Sequence, residues 1–572
     1  MPSRIKQTPR FRAATRPADS TGVTAPRQDS PAGAAGVPAH SASGATDSGQ
    51  SGGAARWLRP ARGRARIPLP VLVLSIAVGA VSLVPLGFVV AMTIATGWDT
   101  AIALIFRPRV LELLGNTIWL VVISVPLCLV IGVGGAWLVE RTTLFGHRIW
   151  AVLLAAPLAI PAFVNSYAWV SVVPSMSGLG SGVFLATLSY YPLVYIPAAA
   201  TLARLDPALE QSAASLGLGP WRVFFRVVLP QLRIAVAGGA LLVGLHLLSE
   251  YGAFAMIRFD TFTTAIMEQY RSTFNGAAGN MLASVLVLLC LVMLVVESRA
   301  RGNARYAKLG SGAQAAPTRL GLGGLQLPSQ LALAAVALLA FGVPVWIIGR
   351  WLIAGGAQIW ANDAYTALSA ALGQSLWLGF LGALATIVAA FPLTWLAVRF
   401  PGWLSKTLEL ANYVTSSMPG IVLALAFVTV ALHAIPDLYQ TTPLLVAAYV
   451  LLFLPRALVS LRAGLSQAPK ELEEAARALG RRPVVAFVRV TLRLAAPAAA
   501  GGAALVFLAV VNELTATLLL APTGTSTLAT EFWNLSNGID YAGAAPYALL
   551  MILLSAPMTY LLFQQSKKAA GQ

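Results

Sequence analysis

The sequence predicts an all-α polytopic membrane protein of about 12 membrane-crossing helices, arranged as two homologous six-helix units. Two observations carry this. Of 572 residues, 57% are hydrophobic and only 10% charged, where soluble domains carry roughly 25% charge. The chain also matches itself, segment by segment, when its second half is laid over its first.

Apolar stretches of the length that crosses a bilayer fall near 68–94, 115–139, 149–172, 180–203, 231–257, 280–297, 328–354, 370–398, 408–432, 441–461, 496–520 and 546–565. The first exceeds the short apolar core of a cleaved signal peptide and follows a long tail, so it is expected to stay in the mature protein. Residues 1–66 are rich in Ala, Gly, Ser, Pro and Arg without apolar periodicity, and are expected to form a disordered basic cytoplasmic tail.

The net charge of +18 would suit nucleic acid if it were gathered on one surface. Placing the N-terminus in the cytoplasm instead puts all but Arg107, Arg109, Arg258, Arg271 and Arg350 of the 39 basic residues on the inner side. The charge then sets orientation, with both termini cytoplasmic, and no nucleic-acid partner is expected. Cys128 and Cys290 fall inside predicted spans and read as small apolar fillers rather than a disulfide or metal pair.

The repeat lays Gly115-Asn116-Thr117-Ile118-Trp119 over Gly373-Gln374-Ser375-Leu376-Trp377, and Pro161 over Pro419. After a short insertion it lays Leu209-Glu210 over Leu472-Glu473, Leu216-Gly217 over Leu479-Gly480, Pro220 over Pro483, Gly238-Gly239 over Gly501-Gly502, and Glu250 over Glu513. The units are expected at 67–298 and 328–566, with a cytoplasmic linker at 299–327 and a short cytoplasmic tail at 567–572. An even number of spans gives both units the same orientation. A linker this rich in Gly and Ala is flexible, so helix packing must hold the units together.

Between the fourth and fifth spans of each unit lies a segment with a shared pattern. The second unit reads Glu474-Ala475-Ala476-Arg477-Ala478-Leu479-Gly480, then Val490-Thr491-Leu492-Arg493. The first reads Gln211-Ser212-Ala213-Ala214-Ser215-Leu216-Gly217, then Val227-Val228-Leu229-Pro230. Each predicts a short helix of small residues, a left-handed glycine cap, a turn at Pro220 or Pro483, and a second helix returning to the membrane. Small side chains let such a helix sit in a partner's groove. An Ala-rich loop is common in membrane proteins; its recurrence at the same place is what singles it out. These segments resemble the EAA loops of ABC importer permeases. Arg493 stands where that family has proline, and Gln211-Ser212 where it has Glu-Ala.

The resemblance implies the type I ABC permease fold and two copies of an ABC ATPase subunit docked on the loops through Gln211, Ser212, Ala213, Gly217 and Pro230, and through Glu474, Ala475, Ala476 and Gly480. The chain contains no Gly-Lys dipeptide and hence no phosphate-cradling loop. It is therefore expected to bind no cofactor and to be no enzyme, with ATP used by the partner subunits.

After the fifth span of each unit come Glu250-Tyr251-Gly252-Ala253-Phe254 with Thr261-Phe262-Thr263-Thr264-Ala265-Ile266-Met267-Glu268, and Asn512-Glu513-Leu514-Thr515-Ala516-Thr517-Leu518-Leu519-Leu520 with Thr525-Ser526-Thr527-Leu528-Ala529-Thr530-Glu531. A carboxylate within a span costs roughly 2.5–3.5 kcal/mol on insertion scales and usually faces a cavity or a partner. Glu250 and Glu513, in the outer halves of their helices, are candidates for lining a substrate path, since oxygen ligands suit hard cations; capping a helix or pairing with Arg258 is the structural alternative. Glu268 and Glu531, sharing one repeat register, are expected in outer loops, as candidates for an outer mouth or as solvated charges. His40, His147, His246 and His433 have no spacing of a metal site, no metal ligand set is assigned, and no catalytic constellation is visible. His246, one turn before Glu250, reads as a packing or pairing residue.

Most of the chain from residue 67 onward resembles fused permeases of the ferric-iron importer family, on a scaffold shared with permeases for thiamine, phosphonates, polyamines and sulfate. The resemblance implies a plasma-membrane permease receiving ferric iron from an extracytoplasmic binding protein. An organic-solute importer, a secondary transporter, and a membrane enzyme or scaffold are the competing expectations.

Overall fold

The computed structural model describes residues 67–205, 207–272, 276–301 and 319–569. The expected tail at 1–66, the linker between 302 and 318 and the last residues, 570–572, lie outside the described residues. Ten helices among the described residues are long and apolar enough to cross a membrane: Leu69–Thr96, Pro108–Arg141, Gly178–Leu202, Pro220–Ser249, Gly276–Ala300, Gly323–Ala354, Asn362–Arg399, Thr442–Ser466, Pro483–Val511 and Tyr541–Leu561. The one β-pairing among them is an isolated bridge between Thr142 and Leu320.

The apolar stretches 149–172 and 408–432 are not straight spans, as the sequence suggests. The first is His147–Ala159 followed by Ala162–Val170, bent by 89°; the second is Trp403–Ser416 followed by Gly420–Ala434, bent by 103°. Pro161 and Pro419 stand at the two breaks with extended backbone, φ −56° and ψ 142°, and φ −60° and ψ 143°. Proline lacks the N–H that would continue the ladder and pushes the residue before it out of helical geometry; Ile160 is accordingly extended. Each proline then begins a new helix, where its missing donor costs nothing.

The expected spans 231–257 and 496–520 are also interrupted. The first helix ends at Ser249 and a short one, Gly252–Met256, follows; the second ends at Val511 and is followed by Thr515–Leu520. Other helices outrun the bilayer: Pro108–Arg141 has 34 residues and Asn362–Arg399 has 38, about 50 Å or more at 1.5 Å per residue against a hydrocarbon core of about 30 Å.

Packing follows the rule of membrane interiors, where small residues let backbones approach. A side chain at Gly239 would come within 3.0 Å of the Val194 Cα, and one at Gly502 within 2.8 Å of the Ser460 Cβ. Each leading helix leans on the opposite half of the chain. Leu69–Thr96 packs on Asn362–Arg399 and Trp403–Ser416, with Leu408 lying over Gly79 and Thr415 donating to the Ser82 carbonyl. Reciprocally, Leu333 and Ala340 of Gly323–Ala354 join the core around Leu120, Tyr191 and Leu247, and the Trp351 indole donates to Ser171 Oγ at 3.0 Å. A further core mixes both halves, seating Phe163 and Tyr167 against Phe532 at ring separations of 5.6 and 5.1 Å.

Candidate functional site

Two regions stand out, a matched pair of loops and a charged junction between the broken helices. In the first loop, helix Pro207–Ser215 ends at Gly217, whose φ is 83°; in the second, Lys470–Ala478 ends at Gly480, with φ 81°. The closing hydrogen bonds match. Gly217 donates to Ala214 and Leu218 to Ala213, at 2.9 and 3.2 Å; Gly480 donates to Arg477 and Arg481 to Ala476, at the same distances. These are the paired bonds that finish a helix through a left-handed residue, where glycine carries no Cβ penalty. Pro220–Val223 and Pro483–Ala486 then start the return helices, each with a π-turn, Phe224–Val228 and Phe487–Leu492.

Gln211, Ser212, Gly217 and Pro230 are exposed, as are Glu474, Ala475 and Gly480, while Ala476 is half-buried and Ala213 is buried. Sequence reasoning passed over the apolar side chains beside them. Leu216 and Leu479 each expose 84% of their surface, and Leu209, Trp221 and Phe225 are exposed at the places that Leu472, Val484 and Val488 take in the second loop. The signal was present: all four pairs are apolar in both copies of the repeat.

The loops are tied to the membrane helices at equivalent arginines. Arg141 donates to the Leu205 carbonyl at 3.2 Å, and Arg399 to that of Ala468 at 3.0 Å. Their remaining contacts differ. Arg141, buried, lies 3.0 Å from Glu210, an ion pair not aligned as a hydrogen bond. Burial pushes the Glu210 carboxyl above its ordinary range, and the Arg141 charge acts against this. In the second loop the matching Glu473 turns to Arg477 and accepts from Thr491 Oγ1 at 3.0 Å. Ala214 and Val228 replace those two partners in the first loop, which leaves Glu210 to pair with Arg141.

At the junction, Glu250 and Glu513 sit in the breaks after Ser249 and Val511 rather than within the outer halves of continuous helices. Each caps the short helix that follows: Ala253 N–H donates to Glu250 at 2.9 Å and Ala516 N–H to Glu513 at 3.0 Å. Their carbonyls accept from Thr263 and Thr517 hydroxyls at 2.6 and 2.7 Å. Glu250 also accepts the Tyr190 hydroxyl at 2.5 Å, a partner other than Arg258. The two chain breaks meet: a side chain at Gly252 would touch both Phe163 and Leu514 at 2.9 Å, and one at Gly420 would lie 3.6 Å from a Glu513 carboxylate oxygen. The helices that begin after Pro161 and Pro419 thus start beside the two breaks that carry the glutamates.

Glu268 and Glu531 lie in short helices, not loops, and are not structural equivalents. The helices Phe262–Arg271 and Leu528–Asn537 are capped by Thr261 with Thr264 and Thr527 with Thr530, which places Glu268 in the second turn, exposed, and Glu531 in the first, half-buried. His246 bonds the Leu242 carbonyl at 2.8 Å and lies 5.4 Å from the Tyr190 ring. Cys128 and Cys290 are buried and free, and among the described residues no three His, Cys, Asp or Glu side chains are grouped to hold a metal.

One charge was misplaced by the sequence. Arg456, assigned with the inner basic residues, lies near the middle of Thr442–Ser466, exposed, with its guanidinium carbon 5.2 Å above the Phe453 ring.

Residues 382–568 match the family model described as binding-protein-dependent transport system inner membrane component. The chain is 35% identical over 498 residues to the Fe(3+)-transport system permease protein FbpB 2 of Haemophilus influenzae, covering 87% of this chain and 98% of that protein. The chain belongs to the inner-membrane permeases of binding-protein-dependent transport systems. The permease is also 21% identical to the ferric transport system permease protein FbpB of Actinobacillus pleuropneumoniae, over 64% of this chain and 56% of that one. It is 27% identical to the sulfate transport system permease protein CysW of Synechocystis, over 32% of this chain and 73% of that one. It is a multi-pass membrane protein of the importer class.

Proposed function

We propose that the permease imports ferric iron across the plasma membrane, received from an extracytoplasmic binding protein and driven by two ATPase subunits seated on its two loops. The observation that carries the cargo is the relative for ferric iron, matched at 35% identity over 98% of its length. The matched exposed side chains Leu209, Leu216, Trp221 and Phe225, and Leu472, Leu479, Val484 and Val488, support the two docking sites: exposed apolar groups on short helices fit a partner's groove.

In this reading both termini are cytoplasmic, residues 67–298 and 328–566 form the two permease units, and the chain itself hydrolyses nothing. Closure of the ATPase pair displaces the helices carrying Gln211 to Ala213 and Glu474 to Ala476. Arg141 and Arg399 pass that displacement to the long spans they end. The spans rock about the junction, exposing Glu250 and Glu513 alternately to each side. The two carboxylates offer the hard oxygen donors a ferric ion takes, while Glu268 and Glu531 stand nearer the mouth that receives the binding protein.

The test is uptake of radiolabelled ferric iron by vesicles holding the permease with its ATPase and binding protein. Glu250→Gln with Glu513→Gln is expected to abolish uptake at unchanged protein level; unchanged uptake would remove both residues from the path.

A further inference from the structure

Arg456 takes no part in the loops or in the capping of the short helices. It occupies the middle of an apolar span, where an arginine is costly and usually marks a path or a partner. Among the described residues it forms no ion pair. Its place in the bundle is fixed by its neighbours. Leu452, one helical turn earlier on the same face, and the Glu513 carboxylate both border Gly420, at 3.7 and 3.6 Å from the position of a Cβ there. The guanidinium carbon lies 5.2 Å above the ring of Phe453, which is buried in the core of the second half. The guanidinium therefore lies on the side of the helix that borders the junction.

The repeat breaks at this point. Tyr190-Tyr191-Pro192-Leu193 in the first copy corresponds to Phe453-Leu454-Pro455-Arg456 in the second. The first half supplies a hydroxyl to Glu250 and an aliphatic side chain; the second supplies a ring and a free guanidinium. The junction thus has two carboxylates and, on one side, a guanidinium that forms no ion pair with either.

A bare trivalent cation would be repelled by that guanidinium. At neutral pH, however, a ferric ion hydrolyses unless oxygen ligands hold it, and an oxyanion ligand leaves oxygen atoms free on its outer side. A guanidinium presents a planar fork of donors that matches carboxylate and phosphate oxygens in pairs. We propose that Arg456 is the anion-binding residue of the central site, and that the permease carries ferric iron together with an oxyanion ligand of the carboxylate or phosphate class. This rests on the ferric reading above: the glutamates face the metal, and Arg456 holds the anion.

Vesicles containing the permease, its ATPase and its binding protein are loaded from outside with radiolabelled ferric iron as the citrate complex in one arm and the phosphate complex in the other, the anion carrying a second label. The expected result is ATP-dependent entry of one labelled anion along with iron, with Arg456→Leu lowering both by about ten-fold or more and Arg456→Lys, which keeps the charge without the fork, giving an intermediate rate. Leucine already stands at the matching position, Leu193, so Arg456→Leu is compatible with the fold; ATPase stimulation by the loaded binding protein checks assembly. Iron entering with neither anion, at a rate Arg456→Leu leaves unchanged, overturns the inference while the ferric reading survives. Either anion entering without iron overturns the ferric reading and the composite cargo with it.

Discussion

Arg141 lies 3.0 Å from Glu210 at the buried end of the Pro108–Arg141 helix, joining the first loop to a membrane span by charge. The second loop has no counterpart, because Glu473 is held by Arg477 and Thr491 within the loop and its return helix. Both loops are tied to their spans by an arginine bonding a loop carbonyl, and only the first adds an ion pair to that tie. Removing one partner of a buried pair costs about 3–5 kcal/mol, largely by stranding the other charge. Arg141→Leu should lower the melting temperature of the purified permease and its uptake together, and Arg141→Leu with Glu210→Leu should recover more than half of both. A double variant no better than the single one would show that the two residues do not act as a pair.

Thr491→Val tests the other arrangement. It removes one neutral donor to a carboxylate, worth about 1.5–3 kcal/mol, and gives the second loop the aliphatic side chain that Val228 provides in the first. The expected outcome is weaker ATPase stimulation with ATPase binding retained, measured by co-purification.

The exposed leucines should affect binding and not folding. Leu216 and Leu479 expose 84% of their surface, so Leu216→Ser with Leu479→Ser removes almost no internal contact. Burial of a leucine in a partner's groove contributes about 1.5–3 kcal/mol. Loss of two such contacts should release the ATPase from the purified complex at unchanged permease level and melting temperature. A fall in melting temperature instead would place these leucines in the fold.

Gly217 and Gly480 answer a different question, since nothing lies within 4 Å of a Cβ at either. Any cost of Gly480→Ala is conformational, about 1–2 kcal/mol for a left-handed alanine, and Gly480→Asn should cost less. The order Gly, Asn, Ala in ATP-dependent uptake is the expected reading. Equal uptake in all three would mean that the loop tolerates another backbone.

Much of this was legible in local patterns. The glycines after Leu216 and Leu479, and the prolines that follow them, announce a left-handed cap and a restart, and both depend on neighbours in sequence alone. Pro161 and Pro419 were visible as repeat partners, yet the bends of 89° and 103° were not, because apolar character continues through each break and hydropathy does not record direction. Arg456 was absorbed into the inner charges because a single cation barely lowers the mean of a long apolar window. The register of Glu268 and Glu531 was misread for a related reason: the spacing between Glu250 and Thr261 differs from that between Glu513 and Thr527, so one alignment could not serve both the glutamates and the capping threonines. The contact of Leu408 with Gly79 joins residues from opposite halves, and no local pattern encodes it.

The most direct measurement is ATP-dependent entry of radiolabelled ferric iron into vesicles holding the permease, its ATPase and its binding protein, compared with vesicles in which Leu216→Ser, Leu479→Ser or both are present. Entry by the unaltered permease, reduced by either change and lost with both, is the predicted result. Iron entry that continues without ATP, or at an unchanged rate with both loops altered, would contradict an importer driven through these loops.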